Sequence, residues 1–545
     1  MAHQSAKNNE IQSNRRYANI RELIEDAFLR YADKPAYTCF GHTLSYRELD
    51  QRSQIFADYL RNELGLCEGD RLGIQLPNIL QFPIALYGAI RAGLIVVNIN
   101  PLYTPRELEH QLVDSGTKAL VVLANFARSA SECLPRSSVE HLILTEVGDE
   151  LPLAKRILIN FFVKHIKNQV PNLSLPGAHH YRAIMRTEAK GFDLTPVNAD
   201  DVLVLQYTGG TTGLSKGAML THHNLASNVW QMTSHTPAAF VEGEEVFVAC
   251  LPMYHIYALN LHALSGFSAG CHNVLIPNPR DLKSISTALK KNPCSVFLGI
   301  NTLFRALARD KQFQQLDFSK LKVTAAGGMS LTKDAAVAWK EVTGCTISEG
   351  YGLTETSPVL TGNIHGRERI GFIGVPLPET EISLRNDQGE PVADGEAGEL
   401  CARGPQVMLG YWNRPDETAA VMTSDGFFKT GDIARRDLDG HLKIVDRKKD
   451  MILVSGFNVY PNEIEEVLCQ NPKIMESAAV GVASAESGEV VKVFVVREDE
   501  SLTAEDVIAY CRIHLTGYKI PKYVEFRSEL PKSNVGKILR RELRD

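Results

Sequence analysis

The segment Tyr207-Thr-Gly-Gly-Thr-Thr-Gly-Leu-Ser-Lys-Gly217 has the residue types of a loop that holds phosphate oxygens. Its glycines let backbone N–H groups approach an anion, and its threonine hydroxyls add further donors. The apolar run Val202–Leu205 precedes it, and Thr221 can cap a helix over 222–235. It is not a Walker A loop, since there Ser or Thr follows the lysine, whereas a glycine follows Lys216. We predict a phosphate-binding loop; the alternative is a glycine-rich turn beside a solvated lysine. The candidate ligands are Thr208, Gly209, Gly210, Thr211, Thr212, Gly213 and Lys216.

The segment Gly350-Tyr-Gly-Leu-Thr-Glu-Thr356 combines a glycine turn, an aromatic ring, a hydroxyl and a carboxylate. A site for ATP needs a flat apolar surface for adenine, a donor to the α-phosphate and an oxygen ligand for Mg²⁺. A glutamate in a loop is more often simply solvated. Together with the 207–217 segment, however, this one predicts a nucleotide site.

Three shorter motifs carry little information when each is taken alone. Thr430-Gly-Asp432 is typical of a turn, and 446–450 (Asp-Arg-Lys-Lys-Asp) is typical of a solvated charge cluster. Lys537, in Asn-Val-Gly-Lys, lies within a basic tail. In a site that handles phosphates, a cation here would stabilise negative charge that builds on phosphorus.

In this combination and order, the motifs resemble those of the adenylate-forming enzymes, which include acyl- and aryl-CoA synthetases and luciferases. The similarity runs from about residue 20 to the C-terminus. Along this length the particular residues are similar to those of bacterial long-chain fatty acyl-CoA synthetases. The tail after 543 is shorter than in many family chains.

The resemblance implies a role for each matching position. Tyr351 packs on adenine, Thr354 contacts the α-phosphate, and Glu355 holds Mg²⁺ with Thr208. Asp432 and Arg447 bind the ribose, Lys449 is a hinge, and Lys537 bridges the substrate carboxylate and the α-phosphate. Gly456, with Phe457 beside it, would border the path of CoA. The other nucleotide-site residues it implies are Gly327, Gly328, Glu349 and Gly350.

The acid-binding side is less explicit in the sequence. The segment 252–262 resembles the one whose histidine borders the acyl and phosphate sites, although a lone histidine in apolar surroundings is usually structural. No acidic residue is present to meet an amino group, which favours an apolar carboxylic acid over an amino acid. The candidate acyl-site residues are His255, Tyr257, Leu259, Gly299, Asn301 and Gly328.

The pattern of apolar runs predicts the fold class. From about 70 to 330, continuous Val/Ile/Leu runs alternate with helix-length segments, which favours parallel strands covered by helices. Closely spaced turn pairs after Glu381 predict short antiparallel strands, possible strands of a small barrel. We expect an α/β protein with an N-terminal domain over 1–447, made of two α/β subdomains and a β-barrel-like subdomain at about 370–445. A small, mobile α+β domain should follow over 448–545.

Composition narrows the class of protein and its location. The chain has 545 residues, a net charge of −6 and ten cysteines without a CxxC pair. These values fit a reduced cytoplasmic protein of more than one domain and give no reason to expect nucleic-acid binding. The polar start, 1–14, is unlike a signal peptide, and no run resembles a transmembrane helix.

One further segment, 153–171, has the pattern of a basic amphipathic helix. Such a helix either lies in a membrane interface or packs on its own domain. By helical spacing, its apolar face would carry Leu158, Ile159, Phe162, Val163, Ile166 and Val170, and its polar face Arg156, Asn160, Lys164, Lys167 and Asn168. We expect peripheral association with the inner membrane through this segment.

The predicted reaction is the activation of a long-chain fatty acid with MgATP and its transfer to CoA through an acyl-adenylate, which feeds fatty acid degradation. Sibling activities stay open: a medium-chain or aryl-CoA ligase, or an enzyme that loads a carrier protein. A different class is an inactive fatty-acid-binding scaffold at the membrane. The sequence leaves the chain-length range and the oligomeric state open.

Overall fold

A computed structural model describes residues 15–173, 175–193, 195–208, 215–235, 240–484, 487–532 and 538–544. The first sheet is parallel at its centre, with an antiparallel hairpin at one side. Its strands, in spatial order, are Gly410–Tyr411, Lys216–Thr221, Val202–Thr208, Ile95–Asn98, Arg71–Gln75, Ala119–Leu123, His141–Thr145 and His179–His180.

The second sheet is built in a similar way, with six neighbouring parallel strands at its centre and antiparallel strands at both sides. In spatial order its strands are Val375–Pro376, Val359–Gly362, Ile347–Gly352, Val323–Ala326, Val296–Gly299, Val246–Ala249, His272–Leu275, Pro35–Cys39 and His42–Ser45. Parallel strands are found between 70 and 330, where the continuous apolar runs predict them. The continuous apolar runs arise because both faces of each sheet are covered by helices.

Two smaller sheets follow in the chain. The third is antiparallel, in the order Glu381–Arg385, Gly398–Arg403, Phe428–Arg436 and Leu442–Arg447. Among the described residues its first and last strands do not pair, so it is an open sheet and not the closed barrel considered from the sequence. The fourth is ordered Phe457–Val459, Ile452–Val454, Gly488–Arg497 and Ile474–Ser484, with Tyr523–Arg527 paired to Gly488–Arg497.

Helices cover the sheets in three layers. The middle layer packs on both large sheets in one shared core and includes Gln81–Arg91, every residue of which is buried. The outer layers pack on the far faces of the first and second sheets. The described α-helices are Ile20–Arg30, Tyr46–Asp58, Gln81–Arg91, Pro105–Ser115, Ala127–Cys133, Leu153–Phe161, Tyr181–Ile184, His222–Ser234, Ile256–Ala258, Gly266–Ser268, Leu282–Lys291, Asn301–Arg309, Lys333–Thr343, Pro415–Val421, Pro461–Leu468 and Ala504–His514.

The mixed α/β class, with a large N-terminal part and a small C-terminal part, is confirmed. Thr221 caps the helix His222–Ser234 as predicted, in a reciprocal capping box with Asn224. The segment predicted as one long amphipathic helix is the α-helix Leu153–Phe161, continued by a π-helical turn over Phe162–Ile166. None of the described helices combines the length and apolarity that crossing a bilayer requires.

Candidate active site

A cavity of about 2120 Å³ opens where the carboxyl ends of strands from both large sheets meet. Such strand ends are a common position for ligand sites in α/β proteins. The predicted residues in its wall are Thr208, Lys216, His255, Tyr257, Gly327, Gly328, Glu349, Gly350, Tyr351, Thr354, Glu355, Arg447 and Lys449. Predictions for Gly209, Gly210, Thr211, Thr212, Gly213 and Lys537 fall outside the described residues.

The predicted phosphate loop connects two antiparallel strands. Thr208 ends one strand and lies opposite Lys216, the first residue of the next. This second strand, which was not predicted from the sequence, separates the loop from the capped helix. His110 Nε2 lies 2.8 Å from the carbonyl oxygen of Ser215 and so holds the end of the loop. Thr208 and Lys216 therefore face the cavity from the two arms of one hairpin.

Lys216 has two partners that the sequence did not reveal. Its ammonium forms an ion pair with Glu417 and lies 5.2 Å from the centre of the Tyr411 ring. The Tyr411 hydroxyl donates a 2.8 Å hydrogen bond to Glu355 Oε1. Tyr411 thus connects the lysine of the phosphate loop to the predicted metal-binding carboxylate.

Glu355 is buried, and its burial raises the pKa of its carboxyl group. The described residues contain no cluster of three or more His, Cys, Asp or Glu side chains that could hold a metal ion. One carboxylate and the Thr208 hydroxyl at the same cavity nevertheless suit Mg²⁺, which prefers oxygen ligands and is commonly held by one or two carboxylates plus substrate phosphates. The residues present therefore fit a metal that arrives with ATP.

Tyr351, Asp432 and Arg447 come together beside the cavity. The Tyr351 hydroxyl donates to Asp432 Oδ2 at 2.6 Å, and Arg447 Nε lies 3.3 Å from Asp432 Oδ1. Asp432 and Arg447 face each other on paired strands of the third sheet, which explains how residues fifteen apart in the chain meet. Burial raises the pKa of Tyr351 well above its usual value, so its hydroxyl stays protonated and donates. Asp432 itself lies just behind the cavity wall.

Glu349, on the same strand as Tyr351, is a second buried carboxyl group at the cavity. Burial raises its pKa to about 7 despite a 2.5 Å hydrogen bond from the Gly371 N–H. The carboxyl group of Glu349, which lines the cavity, therefore changes between its protonated and ionised forms near neutral pH.

The acyl-side predictions divide into two groups. His255 and Tyr257 line the cavity, and the Tyr257 ring lies against Gly327, where a Cβ would come within 3.1 Å of the ring. Gly327 therefore permits this close packing.

Leu259, Gly299 and Asn301, by contrast, are not in the cavity wall. Leu259 is part of the core, and Gly299 packs against the Phe304 ring. Asn301 Oδ1 accepts hydrogen bonds from the Thr332 N–H and hydroxyl, at 2.9 and 3.0 Å. In this structure, therefore, the contacts described for these three residues are made within the fold and not at the cavity.

The cavity continues as a channel along one face of the second sheet. Alternate residues of two neighbouring strands line it, Val296 with Leu298 and Val323 with Ala325. Helical residues such as Met232 cover it from the middle layer. From Gly327 to Val323 the sheet extends about 13 Å, so the channel runs past the whole length of these strands.

Residues of the C-terminal part line one end of the cavity. Lys532 and Ile538, which pair with each other and flank the predicted Lys537, both line the cavity. Arg540 anchors this tail by donating to Asn462 at 2.6 Å and to Glu465 at 2.7 Å.

The predicted hinge and CoA-side residues lie on two sides of the C-terminal part. Lys449 lines the cavity, and burial lowers its pKa to about 8. Gly456, with a φ of +85°, and the exposed Phe457 lie outside the cavity wall. Phe457 stacks on Tyr518.

Tyr411, Glu417 and Arg540 are the site residues that sequence reasoning missed. Tyr411 lies far along the chain from the phosphate loop and reaches it only because Gly410–Tyr411 pairs with the strand Lys216–Thr221. A single tyrosine and a helical glutamate carry no local signal, and Arg540 was visible only as part of a basic tail.

The fold and site together define a nucleotide-dependent enzyme that activates an acid. The model of the AMP-binding enzyme family matches residues 24–412, and that of the AMP-binding enzyme C-terminal domain matches 463–537. The chain therefore belongs to the AMP-binding enzyme family.

Individual relatives cover nearly the whole chain. A long-chain-fatty-acid–CoA ligase from Salmonella typhimurium is 53% identical over 97% of this chain and 95% of its own length. Among solved structures, ATP-bound MatB from Rhodopseudomonas palustris superposes with a TM-score of 0.84 at 28% identity, covering 96% of this chain and 98% of that one. The apo form of MatB gives a TM-score of 0.74 with the same coverage.

Proposed function

We propose that this protein is a long-chain fatty acid–CoA ligase that converts ATP, a fatty acid and CoA into acyl-CoA, AMP and diphosphate through an acyl-adenylate. The observation that carries the proposal is the apolar channel that leaves the nucleotide site along the full length of two strands. A channel of that length can bury an extended alkyl chain, and each buried methylene contributes about 0.8 kcal/mol. The name of the Salmonella relative agrees with this substrate class.

In the first step, an oxygen of the fatty acid carboxylate attacks the α-phosphorus and diphosphate leaves. A bond forms between the carboxylate oxygen and the α-phosphorus. The bond between the α-phosphorus and the oxygen that bridges it to the β-phosphorus breaks. Lys216 is placed to exchange its Glu417 partner for the triphosphate, which is the stronger anion. Thr354 donates to the α-phosphate, and Lys537 meets the charge that develops there.

Glu355 and Thr208 would hold Mg²⁺ together with the phosphates of ATP. Bound there, the ion would neutralise phosphate charge as diphosphate departs. The Tyr411 hydroxyl orients Glu355 for this task by occupying Oε1. Asp432, held by Tyr351 and Arg447, accepts from the ribose hydroxyls while the Tyr351 ring borders adenine.

In the second step, the CoA sulfur attacks the acyl carbon and AMP leaves with the electron pair of the broken bond. We place the domain boundary at Lys448–Asp450, the short turn between the third and fourth sheets, with Lys449 as the hinge. The tail that carries Lys537 faces the cavity and Gly456 does not, which suits the first step. The chain superposes better on ATP-bound MatB, with a TM-score of 0.84, than on apo MatB, with a TM-score of 0.74. This difference supports the assignment of the arrangement to the first step. Rotation about Lys449 would exchange the two surfaces.

The test is product formation with a substrate panel. Purified protein is incubated with MgATP and palmitate, octanoate or coumarate, with CoA present or absent, and AMP and acyl-CoA are measured. We expect palmitoyl-CoA and AMP in equal amounts, with less product from octanoate and coumarate. Preference for coumarate would replace the proposal by an aryl-CoA ligase. An absence of AMP with all three acids would favour the non-catalytic scaffold.

We further propose that the segment 153–171 places the enzyme on a membrane surface. Six of its large apolar side chains are exposed, among them Leu158 at 68% and Phe161 at 55%. The basic side chains of Lys164 and Lys167 are exposed beside them. Asn160, which helical spacing assigned to the solvent face, instead contacts the domain, donating to Glu146 at 2.7 Å. A helix that directs its apolar residues outward suits an interface of lipid and water.

The membrane proposal is tested by flotation with liposomes. Leu158→Ser/Phe161→Ser should lower the bound fraction. Leu29→Ser/Leu438→Ser, which removes two leucines that are even more exposed but lie elsewhere, should leave it unchanged. Equal binding by both variants and the wild type would return this helix to an ordinary surface role.

A further inference from the structure

Charged side chains line the far end of the apolar channel. Beyond the amino ends of the strands that line it, the wall passes from apolar residues such as Phe247 and Ala269 to Arg30 and Glu242. Arg30 ends the helix Ile20–Arg30, and Glu242 lies just before the strand Val246–Ala249. An ion pair therefore lies where the end of a long alkyl chain would arrive.

This ion pair is held from both sides. Glu242 accepts from Arg30 and from the Tyr31 hydroxyl, while Arg30 also donates to Asp26 at 3.2 Å. Asp26 accepts in addition from Tyr17 at 2.6 Å. The side chains of Arg30 and Glu242 are each only 19% exposed. The charges are thus paired with each other and held in fixed positions.

A paired charge is a physical stop for an alkyl chain. Each methylene that enters the apolar part of the channel strengthens binding about fourfold. A methylene that reaches the ion pair gains nothing unless Arg30 and Glu242 separate, and separation leaves partly buried charges without their partners. Affinity should therefore rise with chain length and then stop rising at one length.

We propose that the Arg30–Glu242 ion pair is the floor of the acyl channel and sets the upper limit of fatty acid length. The proposal rests on the function proposed above, because it assigns the channel to an alkyl chain. Arg30 and Glu242 are specificity-determining residues that do not touch the reacting atoms.

The experiment measures equilibrium binding of saturated fatty acids of increasing length, from octanoate upward, by displacement of a fluorescent fatty acid. In the wild type, log Kd should fall steadily with each carbon and then level off at a break point. In Arg30→Leu/Glu242→Leu the break should move to longer acids, and the first acid two carbons past the wild-type break should bind about fifteenfold more tightly. Octanoate, which ends before the floor, should bind both proteins equally.

A matched control removes an ion pair of the same kind elsewhere. Arg47 and Asp33 are 2.7 Å apart on the surface and do not line the cavity, so Arg47→Leu/Asp33→Leu should keep the wild-type break. A second variant works in the opposite direction without touching the charges. Ala269 lines the channel beside the floor, and its carbonyl accepts from the N–H of Gly243, next to Glu242, at 2.8 Å. Ala269→Val should move the break to shorter acids.

The outcomes separate the two proposals. A break that stays in place in both channel variants, while octanoate still binds, would overturn the floor. If the double leucine variant does not fold, the direction of the shift in Ala269→Val decides. Acyl-CoA synthesis measured in parallel tests the proposed function alone: length-dependent binding without any product would refute the ligase and retain the floor.

Discussion

Tyr411→Phe tests the connection between the phosphate loop and the predicted metal site. The substitution removes one hydroxyl and keeps the ring. The cation–π contact with Lys216 at 5.2 Å should survive, while the 2.8 Å hydrogen bond to Glu355 Oε1 is lost. The two functions of Tyr411 are thereby separated.

The magnitude follows from the burial of Glu355. A hydrogen bond to a charged group contributes about 1.5–3 kcal/mol, and loss of the donor leaves a buried carboxylate without it. If Glu355 holds Mg²⁺, this loss should raise the Mg²⁺ concentration needed for half-maximal adenylation about 10- to 150-fold. The KM for ATP at saturating Mg²⁺ should change little, since Lys216 keeps its environment.

The assay is palmitate-dependent exchange between diphosphate and ATP, titrated with Mg²⁺. Tyr59→Phe is the control, because it removes a hydroxyl 2.9 Å from His179, outside the cavity. Unchanged Mg²⁺ dependence in Tyr411→Phe would refute the role given to Glu355, as would an equal change in the control.

Three further predictions follow from the site and its surroundings. Lys537→Ala should impair adenylate formation and spare thioester formation from supplied acyl-adenylate, and Gly456→Leu should do the reverse; equal loss of both steps would refute the hinge. Burial raises the pKa of Glu349 from 4.5 to about 7, so the folded state keeps a proton that the unfolded state releases, and stability falls as pH rises through that window. Glu349→Gln should therefore stabilise the protein at pH 8 by on the order of 3 kcal/mol and have little effect at pH 4.5; equal effects at both would contradict the raised pKa. Lys164→Glu/Lys167→Glu should lower flotation with anionic but not neutral liposomes, and a loss on both would exclude the electrostatic contribution.

Much of the fold could be predicted because its signals are local. Continuous apolar runs such as Ala119–Leu123 indicate strands buried on both faces, and Thr221 marks a helix start through its own hydroxyl. The family prediction is confirmed for the same reason, since the motifs are contiguous. The motif Gly350–Thr356 can be recognised from the sequence alone, because its residues are adjacent in the chain.

The rest depends on contacts between distant segments. The strand Lys216–Thr221 was not predicted because it begins with lysine and glycine, which do not indicate a strand. Its pairing with two other strands defines it. Position in a motif predicts Leu259 and Asn301 for the acyl site, whereas in the structure Leu259 packs in the core and Asn301 accepts a hydrogen bond from Thr332. The ion pair of Arg30 with Glu242 joins residues 212 apart, which no local pattern can reveal.

The central claim is that a carboxylate oxygen of the fatty acid attacks the α-phosphorus of ATP. The most direct test uses palmitate labelled with ¹⁸O in both carboxylate oxygens, together with MgATP and CoA, and mass spectrometry of the products. The mechanism predicts one ¹⁸O in each AMP and none in diphosphate, because the oxygen that bridges the acyl group and phosphorus leaves with AMP. AMP without label, or label in phosphate released alongside ADP, would contradict an acyl-adenylate intermediate.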